Sequence, residues 1–491
     1  MFMSTQTLPY DLLRYIIEHT DGHLPTLAAC CLVNGDFREL AASALYFCLD
    51  LQFGEYLGPG RGIRRTQSAK KIPKARVKHA LNSACLPHNR NRVRAFLLRG
   101  AYDEFPLGED EFLYIFKQFR RLETLSFNVQ YPRWNNPIDS DVFDERTLVY
   151  AMTLINSQFS LREVTLNDVA NKNTKMLLSQ DSLRKLALID ADDDILDKFT
   201  MKLLGGLREL QIRVSTYNGS QTRQNVLNTV FHAIPARCHN LRSLTIGLMY
   251  LRTDEDREDP NDTLFGSVVQ IPCLEELCLE YLISYDYRAS SLVGTNLRTD
   301  FPAPTTLKSL TVRFKTMREY QLDIPVICRW MKHVVSSSPI ERVSFDPFYQ
   351  PRTKNPVQKG SWDILTDHLA DKHASTLKSF DLRAAFVRKT AMKAIFRKCH
   401  QLEEFSVATS AGSLTSLSQF SPNLPKLHQA QFELRTAKGM RHQPRLNTQR
   451  ITLIMQCARL RRLVVNDDEW EGSWVLENGG LRYHARAVTS H

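Results

Sequence analysis

Several residues in this sequence are of types that bind metal ions, but their spacing does not fit a metal site. Cys238-His239 and Cys399-His400 lack the paired-ligand spacing that zinc sites use. The acidic runs at 190–194, 254–262 and 467–469 lack the glycine and terminal glutamate of a calcium-binding loop. We therefore predict no metal and no cofactor, and we interpret the acidic runs as exposed loops.

The residue patterns of common catalytic sites are also missing from the sequence. The glycine-rich stretch GPGRG at 58–62 does not end in the Gly-Lys-Ser/Thr of a phosphate-binding loop. No nucleophile elbow (G-x-S-x-G) and no zinc-protease helix (H-E-x-x-H) occurs. We expect no catalytic residues and no enzyme activity.

Cysteine usage and hydropathy indicate the compartment. Ten cysteines are scattered over 491 residues without a dense framework, which favours reduced thiols. No run approaches the roughly 18 to 20 apolar residues of a membrane span, and the N-terminus does not resemble a secretory signal. We expect an intracellular protein, cytoplasmic and/or nuclear, that does not bind membranes.

The positive net charge of +11 is concentrated in one segment. Residues 54–94 hold eleven basic residues against the single acid Glu55, which leaves +1 for the rest of the chain. We interpret this segment as a solvated insertion. A nuclear-import signal or contact with an anion is the alternative, but stacking aromatics are scarce there, so we expect nucleic-acid binding to be unlikely.

An apolar hexad, L-x-x-L-x-L with conservative replacements, recurs thirteen times. Successive hexads start 22 to 39 residues apart, close to the period of about 20 to 29 residues that leucine-rich repeats show. The last two apolar positions alternate with polar ones, which is the period of a half-buried strand. The hexads begin at Val93, Leu122, Leu161, Leu183, Leu207, Leu241, Leu274, Leu307, Ile340, Leu377, Leu402, Leu427 and Leu460.

Segments of helical period precede most hexads, so each unit is predicted to be a helix followed by a strand. The clearest are at 112–119, 226–234, 327–335 and 451–455. A unit of this kind buries its apolar edge only by stacking on neighbours, which gives a parallel inner sheet with helices outside. Cys238, Cys399 and Cys457 each stand three residues before a hexad and are predicted to fill the helix-to-strand corner. The fold class is therefore an α/β solenoid.

Residues 1–50 have a different pattern, that of three short helices. Leu12, Leu13, Ile16 and Ile17 are predicted to lie on one face of the first helix. Helical patterns follow around 27–31 and 37–45. A bundle of about 45 residues is too small to be comfortable alone and needs a neighbouring surface.

This N-terminal stretch resembles the F-box, and with its repeats the whole chain resembles the F-box/leucine-rich-repeat proteins. The LYFCLDL ending and its basic insertion are similar to those of filamentous fungi, although Thr20 stands where the F-box usually has leucine. The match to the F-box pattern alone covers about a tenth of the chain. The positions that it assigns to adaptor binding are Leu8, Pro9, Leu12, Leu13, Ile16, Leu27, Cys31, Val33, Phe37, Leu40, Leu45 and Tyr46.

The resemblance implies a substrate receptor of an SCF-type cullin-RING ubiquitin ligase. The F-box would dock on a Skp-type adaptor, and through it a cullin, while the repeats hold an unidentified target protein. The implied division is an F-box-like domain at 1–50, a basic linker at 51–92 and about thirteen irregular repeats at 93–491. Two alternatives stay open: a repeat scaffold that binds proteins without any ubiquitin ligase, and nucleic-acid binding through residues 54–94.

Strand register predicts which residues line the concave face of the sheet. Residues between the strand leucines point away from the helices, and a floor of small uncharged side chains flanked by longer ones suits a protein or peptide ligand. The candidate target-binding residues are Glu209, Gln211, Arg213, Ser243, Thr245, Ser309, Thr311, Arg313, Arg342, Ser344, Asp381 and Arg383.

Overall fold

The structure is a computed structural model. It divides the chain into two compact units, Met1–Ser215 and Thr216–His491, which are described separately. Leu8, the glycine-rich stretch, the run at 254–262 and the predicted helix at 226–233 lie outside the residues described, as do the side chains of Arg383 and Cys457. The described residues are 9–20, 23–53, 74–101, 109–130, 161–167, 182–191, 205–214, 234, 238–250, 271–283, 292–293, 297, 299–316, 321–322, 324–347, 361–435, 448–477 and 480–488.

Three helices open the first unit: α1 (Tyr10–Glu18), α2 (Leu24–Cys30) and α3 (Gly35–Phe47). Asn34 caps α3, since its side chain accepts a hydrogen bond of 2.9 Å from the Phe37 N–H. Ile17, Leu27 and Ala41 form the centre of the bundle, each 6% exposed or less. Burial of these small apolar stripes joins the three short helices.

Parallel strands follow the helices in chain order. They are β1 (Cys48–Phe53), β2 (Ala95–Ala101), β3 (Thr124–Gln130), β4 (Glu163–Asn167), β5 (Lys185–Ala191) and β6 (Glu209–Val214), each paired with the next. Two helices are described in this part, α4 (Lys74–Ala84) and α5 (Glu109–Phe116). Helix α3 passes directly into β1, so the helical bundle continues into the sheet.

The second unit is also built on parallel strands. Its described strands are β7 (Ser243–Tyr250), β8 (Glu276–Ile283), β9 (Leu292–Val293), β10 (Ser309–Thr316), β11 (Gln321–Leu322), β12 (Arg342–Pro347), β13 (Ser379–Phe386), β14 (Glu404–Thr409), β15 (Gln429–Leu434), β16 (Arg462–Val465), β17 (Asp468–Glu477) and β18 (Gly480–Ala487). Strands β9 and β11 form a separate two-stranded sheet. At the C-terminal end, β17 pairs antiparallel with β16, and β18 pairs antiparallel with β17.

Five helices are described beside these strands. They are α6 (Ile324–Val335), α7 (Ser361–Lys372), α8 (Lys389–Lys398), α9 (Leu414–Phe420) and α10 (Thr448–Ala458). Two 3-10 turns flank α9, at Ala411–Ser413 and Ser421–Asn423. In α6 and α10 the apolar residues predicted to form one helical face are buried.

The prediction of one parallel strand per hexad is confirmed. Each of the thirteen hexads supplies one strand that starts at its third residue, and its three apolar positions are at most 3% exposed. Both units therefore have the leucine-rich-repeat type of fold. The N-terminal strand β1 and the C-terminal hairpin β17–β18 were not among the predicted strands.

Backbone pairing before each strand sets the register. The N–H groups of Glu123 and Thr124 both donate to the Arg94 carbonyl, at 2.7 and 2.9 Å. The same pair of bonds recurs at later hexads, for example from Glu341 and Arg342 to Lys308 at 2.8 and 2.9 Å. A slip of one residue would turn the leucines to the polar face, so the register is strongly specified.

Aromatic rings stack along the core of the second unit. Phe405 lies between Phe380 and Phe432, with ring centroids 5.5 and 5.9 Å away, and it meets Phe396 of α8 at 4.8 Å. All four side chains are at most 1% exposed. This cluster ties three consecutive strands to one helix.

Replacing Phe405 by alanine should therefore lower the free energy of unfolding of the second unit by about 3 to 5 kcal/mol, since buried apolar contacts are lost and the surrounding side chains fill the cavity only in part. Chemical denaturation followed by circular dichroism measures the loss. Leu453→Ala is the matched control, because Leu453 is 59% exposed. Equal stability of the two variants would contradict this account of the core.

Two histidines at the end of α7 give the second unit an acid-sensitive core. His373 is 4% exposed, its ring forms a hydrogen bond with the Val335 backbone, and its centroid lies 5.7 Å from that of His368. Burial, followed by the charge of His368, lowers the pKa of His373 from 6.5 to about 4, and burial also lowers the pKa of His368.

The unfolding free energy should fall on acidification. Between pH 6.5 and about 4 the unfolded chain binds a proton at His373 that the folded chain does not, so stability present above pH 6.5 is lost towards pH 4. The loss is at most on the order of 3 kcal/mol. Denaturation at a series of pH values should show a shallower slope for His373→Asn, while the exposed control His239→Gln keeps the wild-type slope. An unchanged slope in His373→Asn would refute the assignment.

Candidate protein-interaction surfaces

Helix α1 carries two adjacent apolar stripes, of which only one is buried. Leu13 and Ile17 are 2% and 6% exposed, whereas Leu12 and Ile16 are 49% and 42% exposed. Each pair is spaced by four residues, so each forms a stripe on one side of the helix. The exposed pair, called here the outer stripe of α1, is one candidate interaction surface.

The F-box pattern residues divide between the bundle core and its surface. Pro9 and Val33 are exposed, the latter by 63%, and Leu27 is in the core. The others are partly buried: Cys31, Phe37, Leu40, Leu45 and Tyr46. Exposed positions are the ones that can meet a partner, and the buried ones keep the helices together.

Several contacts hold the bundle to the start of the repeats. The Arg94 N–H donates to the Phe47 carbonyl at 3.0 Å, and the hydroxyls of Tyr46 and Ser83 are 2.6 Å apart. An ion pair joins Arg92 to Glu39 of α3. Because α3 also continues into β1, these contacts give the outer stripe of α1 a defined position relative to the first strands.

The second candidate surface is the strand face that the helices do not cover. At the end of the first unit, Glu209 is exposed and paired with Lys185 at 2.9 Å, while Gln211 and Arg213 are half-buried. The hydrogen bond to Glu209 raises the pKa of Lys185. The face is therefore polar and partly ion-paired.

In the second unit, strand register brings the predicted floor residues into rows. Ser309 lies between Glu276 and Arg342 in the register, and Thr311 pairs with Ser344. Arg342 reaches across Ser309 to Glu276 at 2.6 Å, which a larger residue at 309 would obstruct. Ser243 and Thr245 on β7 and Asp381 on β13 follow the same frame, whereas Arg383 lies where the register between β13 and β14 shifts.

The structure places Arg313 in an ion pair that sequence reasoning did not anticipate. Its guanidinium is 3.1 Å from Glu280, which is only 3% exposed, and Asp346 is its register partner on the other side. The sequence does contain a signal for this pairing: Glu280, Arg313 and Asp346 each follow directly after the last residue of a hexad. This pairing gives Arg313 a role in neutralising a buried carboxylate.

A second charge pattern was also missed. From Arg242 to Glu403 the second residue of each hexad alternates in sign, and neighbours form ion pairs: Lys308 lies 2.9 Å from Glu275, and Lys378 lies 2.8 Å from Glu341. The hydrogen bond from Lys308 lowers the pKa of Glu275. Alternation of sign at this position could have been detected in the sequence. It adds charge complementarity between neighbouring repeats.

Cys238 and Cys399, three residues before their hexads, are fully buried. Burial raises the pKa of each thiol to about 12, as expected of thiols that fill space at the helix-to-strand corner. Within the described part of the chain, no group of three or more His, Cys, Asp or Glu residues could hold a metal ion. Over the same residues, no helix is long and apolar enough to cross a membrane.

Comparisons with known proteins add a weak likeness to two solved structures. No family model matches this sequence, and no curated protein sequence matches it. The crystal structure of the Rad7 and Elc1 complex in yeast is 14% identical, with 90% of this chain and 98% of that chain covered and a TM-score of 0.42. The crystal structure of the TLR13–ssRNA13 complex is 12% identical in sequence, with 77% of this chain and 50% of that chain covered and a TM-score of 0.33.

Removing the partner of Glu280 should destabilise the second unit. Arg313→Met removes the cation that lies 3.1 Å from a carboxylate only 3% exposed, so the free energy of unfolding should fall by about 1.5 to 3 kcal/mol. The double variant Glu280→Gln with Arg313→Met should recover part of this loss. Urea denaturation of both variants, of Glu280→Gln and of the wild type gives the four unfolding free energies of a double-mutant cycle. Strict additivity of the two substitutions would show that the pair does not interact.

Proposed function

We propose that this chain is a substrate-recognition adaptor of an SCF-type cullin-RING ubiquitin ligase. Helices α1–α3 dock on a Skp-type adaptor, and the strand face of the repeats binds the target protein. The observation that carries the proposal is the outer stripe of α1. Leu12 and Ile16, two positions of the F-box pattern, are apolar and exposed beside a buried stripe that already fills the core.

An exposed apolar stripe of this kind is costly unless a partner covers it. Burying a leucine or isoleucine side chain contributes about 1.5 to 3 kcal/mol relative to leaving it in water. Val33, 63% exposed, is a further apolar F-box position that is available to a partner. Together these side chains could supply the apolar centre of a small protein interface, where a few residues carry most of the binding energy.

The function requires no chemistry on this chain. A receptor acts by holding the target near the enzyme that transfers ubiquitin, which raises the effective concentration of the reacting groups. That mechanism needs a docking domain held firmly against the repeats. The Tyr46–Ser83 hydrogen bond, the Arg92–Glu39 ion pair and the passage of α3 into β1 support it.

The strand face suits a protein target better than a small molecule. Its floor is made of small polar side chains such as Ser309, Thr311 and Ser344, flanked by paired charges such as Arg342 with Glu276. Partly exposed polar groups on adjacent strands can form many weak hydrogen bonds with an extended or folded partner. Sets of contacts of this kind give specificity over a wide area.

Binding of the full-length chain to a purified Skp-type adaptor tests the proposal. Ile16→Asp and Val33→Asp should each weaken binding at least about tenfold, or 1.4 kcal/mol, because a carboxylate would replace a buried apolar contact. Surface plasmon resonance measures the affinities, and circular dichroism checks that the helices remain.

Matched controls are available in the same unit. Leu86 and Tyr114 are 44% and 67% exposed, close to the values of Ile16 and Val33, and lie outside α1–α3. Leu86→Asp and Tyr114→Asp should bind the adaptor as the wild type does. A folded wild-type chain that does not bind the adaptor would favour the alternative of a repeat scaffold without a ubiquitin ligase.

A further inference from the structure

Helix α8 carries three cations in a row for which the described residues provide no ion-pair partner. Lys389, Lys393 and Arg397 are spaced by four residues and form one stripe along the helix, called here the basic stripe of α8. Lys389 and Arg397 are exposed and Lys393 is half-buried. Two turns of helix separate the first from the last, so the stripe is about 12 Å long.

The other cations of α8 are paired with the preceding helix. Arg388, which precedes α8, lies 3.4 Å from Asp363, and Lys398 lies 2.6 Å from Asp371, both on α7. The hydrogen bond from Lys398 lowers the pKa of Asp371. Helix α7 thus supplies the acids for the flank of α8 that faces it.

The next helix supplies none. Helix α9 has the sequence LTSLSQF, without a charged residue, and the adjoining 3-10 turns AGS and SPN are also uncharged. From 388 to 432 the sequence contains only two acids: Glu404, the first residue of β14, and Glu403, which precedes it. Among the residues that the structure describes, the elements next to this side of the stripe therefore offer it no acidic counterpart.

Phe420 holds two of these cations in place. The Lys393 ammonium lies 5.8 Å and the Arg397 guanidinium 5.0 Å from its ring centroid. Cation–π contacts of this kind restrict the side chains without neutralising their charge. The positive groups are therefore presented in an ordered row beside α9.

Folding alone favours only one of the three cations, Arg397, which is in the last turn of α8. Lys389 is the first residue of α8, where the helix dipole disfavours a cation. Like charges four residues apart on a helix also repel each other. The stripe is better explained by an anionic partner than by the stability of the helix.

We propose that the basic stripe of α8, with the uncharged wall of α9 beside it, binds an acidic helical segment of a partner protein. Carboxylates spaced by three or four residues on that segment would match the spacing of Lys389, Lys393 and Arg397. This surface lies on the helix side of the sheet, so it is distinct from both candidate surfaces above and does not depend on the proposed ligase function.

Titration of the full-length chain with a labelled peptide tests the proposal. The peptide has about 20 residues, long enough to form a helix, with glutamate at every fourth position among alanine and glutamine. A second peptide has glutamine in place of each glutamate. Fluorescence anisotropy should show binding of the acidic peptide alone, with an affinity that decreases as NaCl is raised from about 0.05 to about 0.3 M.

Charge reversal identifies the residues. The triple variant Lys389→Glu, Lys393→Glu and Arg397→Glu should bind the acidic peptide at least about tenfold more weakly. Lys389→Glu alone, which does not alter the Phe420 contacts, should also weaken binding, so misfolding of the triple variant cannot hide the result. The control triple Arg329→Glu, Lys372→Glu and Lys426→Glu changes the net charge equally at other exposed positions and should retain binding.

Three results would overturn the proposal. The first is absence of binding by the wild type, and the second is an equal loss in the control triple, which would indicate general charge attraction. The third is stripe-dependent capture of phosphatidylserine vesicles or single-stranded RNA without binding of the peptide. That outcome would assign the stripe to a membrane surface or to nucleic acid.

Discussion

The pair of backbone hydrogen bonds at the start of each strand is the constraint on which the rest of this structure depends. In most repeats one carbonyl accepts the N–H groups of two consecutive residues of the following repeat, as Arg94 does from Glu123 and Thr124. These bonds are available only when the leading leucine of each hexad is buried beneath them. Register, burial and the direction of every polar side chain on the strand face are therefore determined together.

Much of the repeat architecture could be predicted because it is periodic. Each of the thirteen hexads predicted from the sequence supplies a strand. The prediction succeeds because the same three apolar positions are buried in every repeat. Strand β1 escaped prediction because its hexad is degenerate: Tyr46-Phe47-Cys48-Leu49-Asp50-Leu51 has tyrosine in place of the leading leucine. Leu49 and Leu51 are buried in the usual way, and the Phe47 carbonyl accepts the Arg94 N–H as a hexad residue would.

Features that depend on pairing between distant repeats were not predictable from one repeat at a time. The Arg313–Glu280 ion pair joins residues of neighbouring strands, and its energetic weight comes from the burial of Glu280. The hairpin β17–β18 has no hexad, because a strand that turns back on its neighbour needs no helix-to-strand corner. The tight turn that leads from β16 into β17 depends instead on Asn466, which adopts a positive φ of 56° and whose side chain accepts the Leu434 N–H at 2.8 Å. The choice of the buried stripe on α1 likewise depends on packing against α3, since both of its stripes are apolar.

The candidate surfaces outside the strand face share a physical property: each departs from what the stability of its own helix would favour. On α1, the second apolar stripe stays in water although the bundle core is already filled by Leu13 and Ile17. On α8, cations follow one another at helical spacing, beginning at the helix end where a positive charge is least favourable. Just before several strands of the second unit, by contrast, opposite charges lie side by side, as Lys308 does with Glu275. Local patterns that conflict with the stability of an otherwise consistent fold are where binding functions are expected, because a partner removes the conflict.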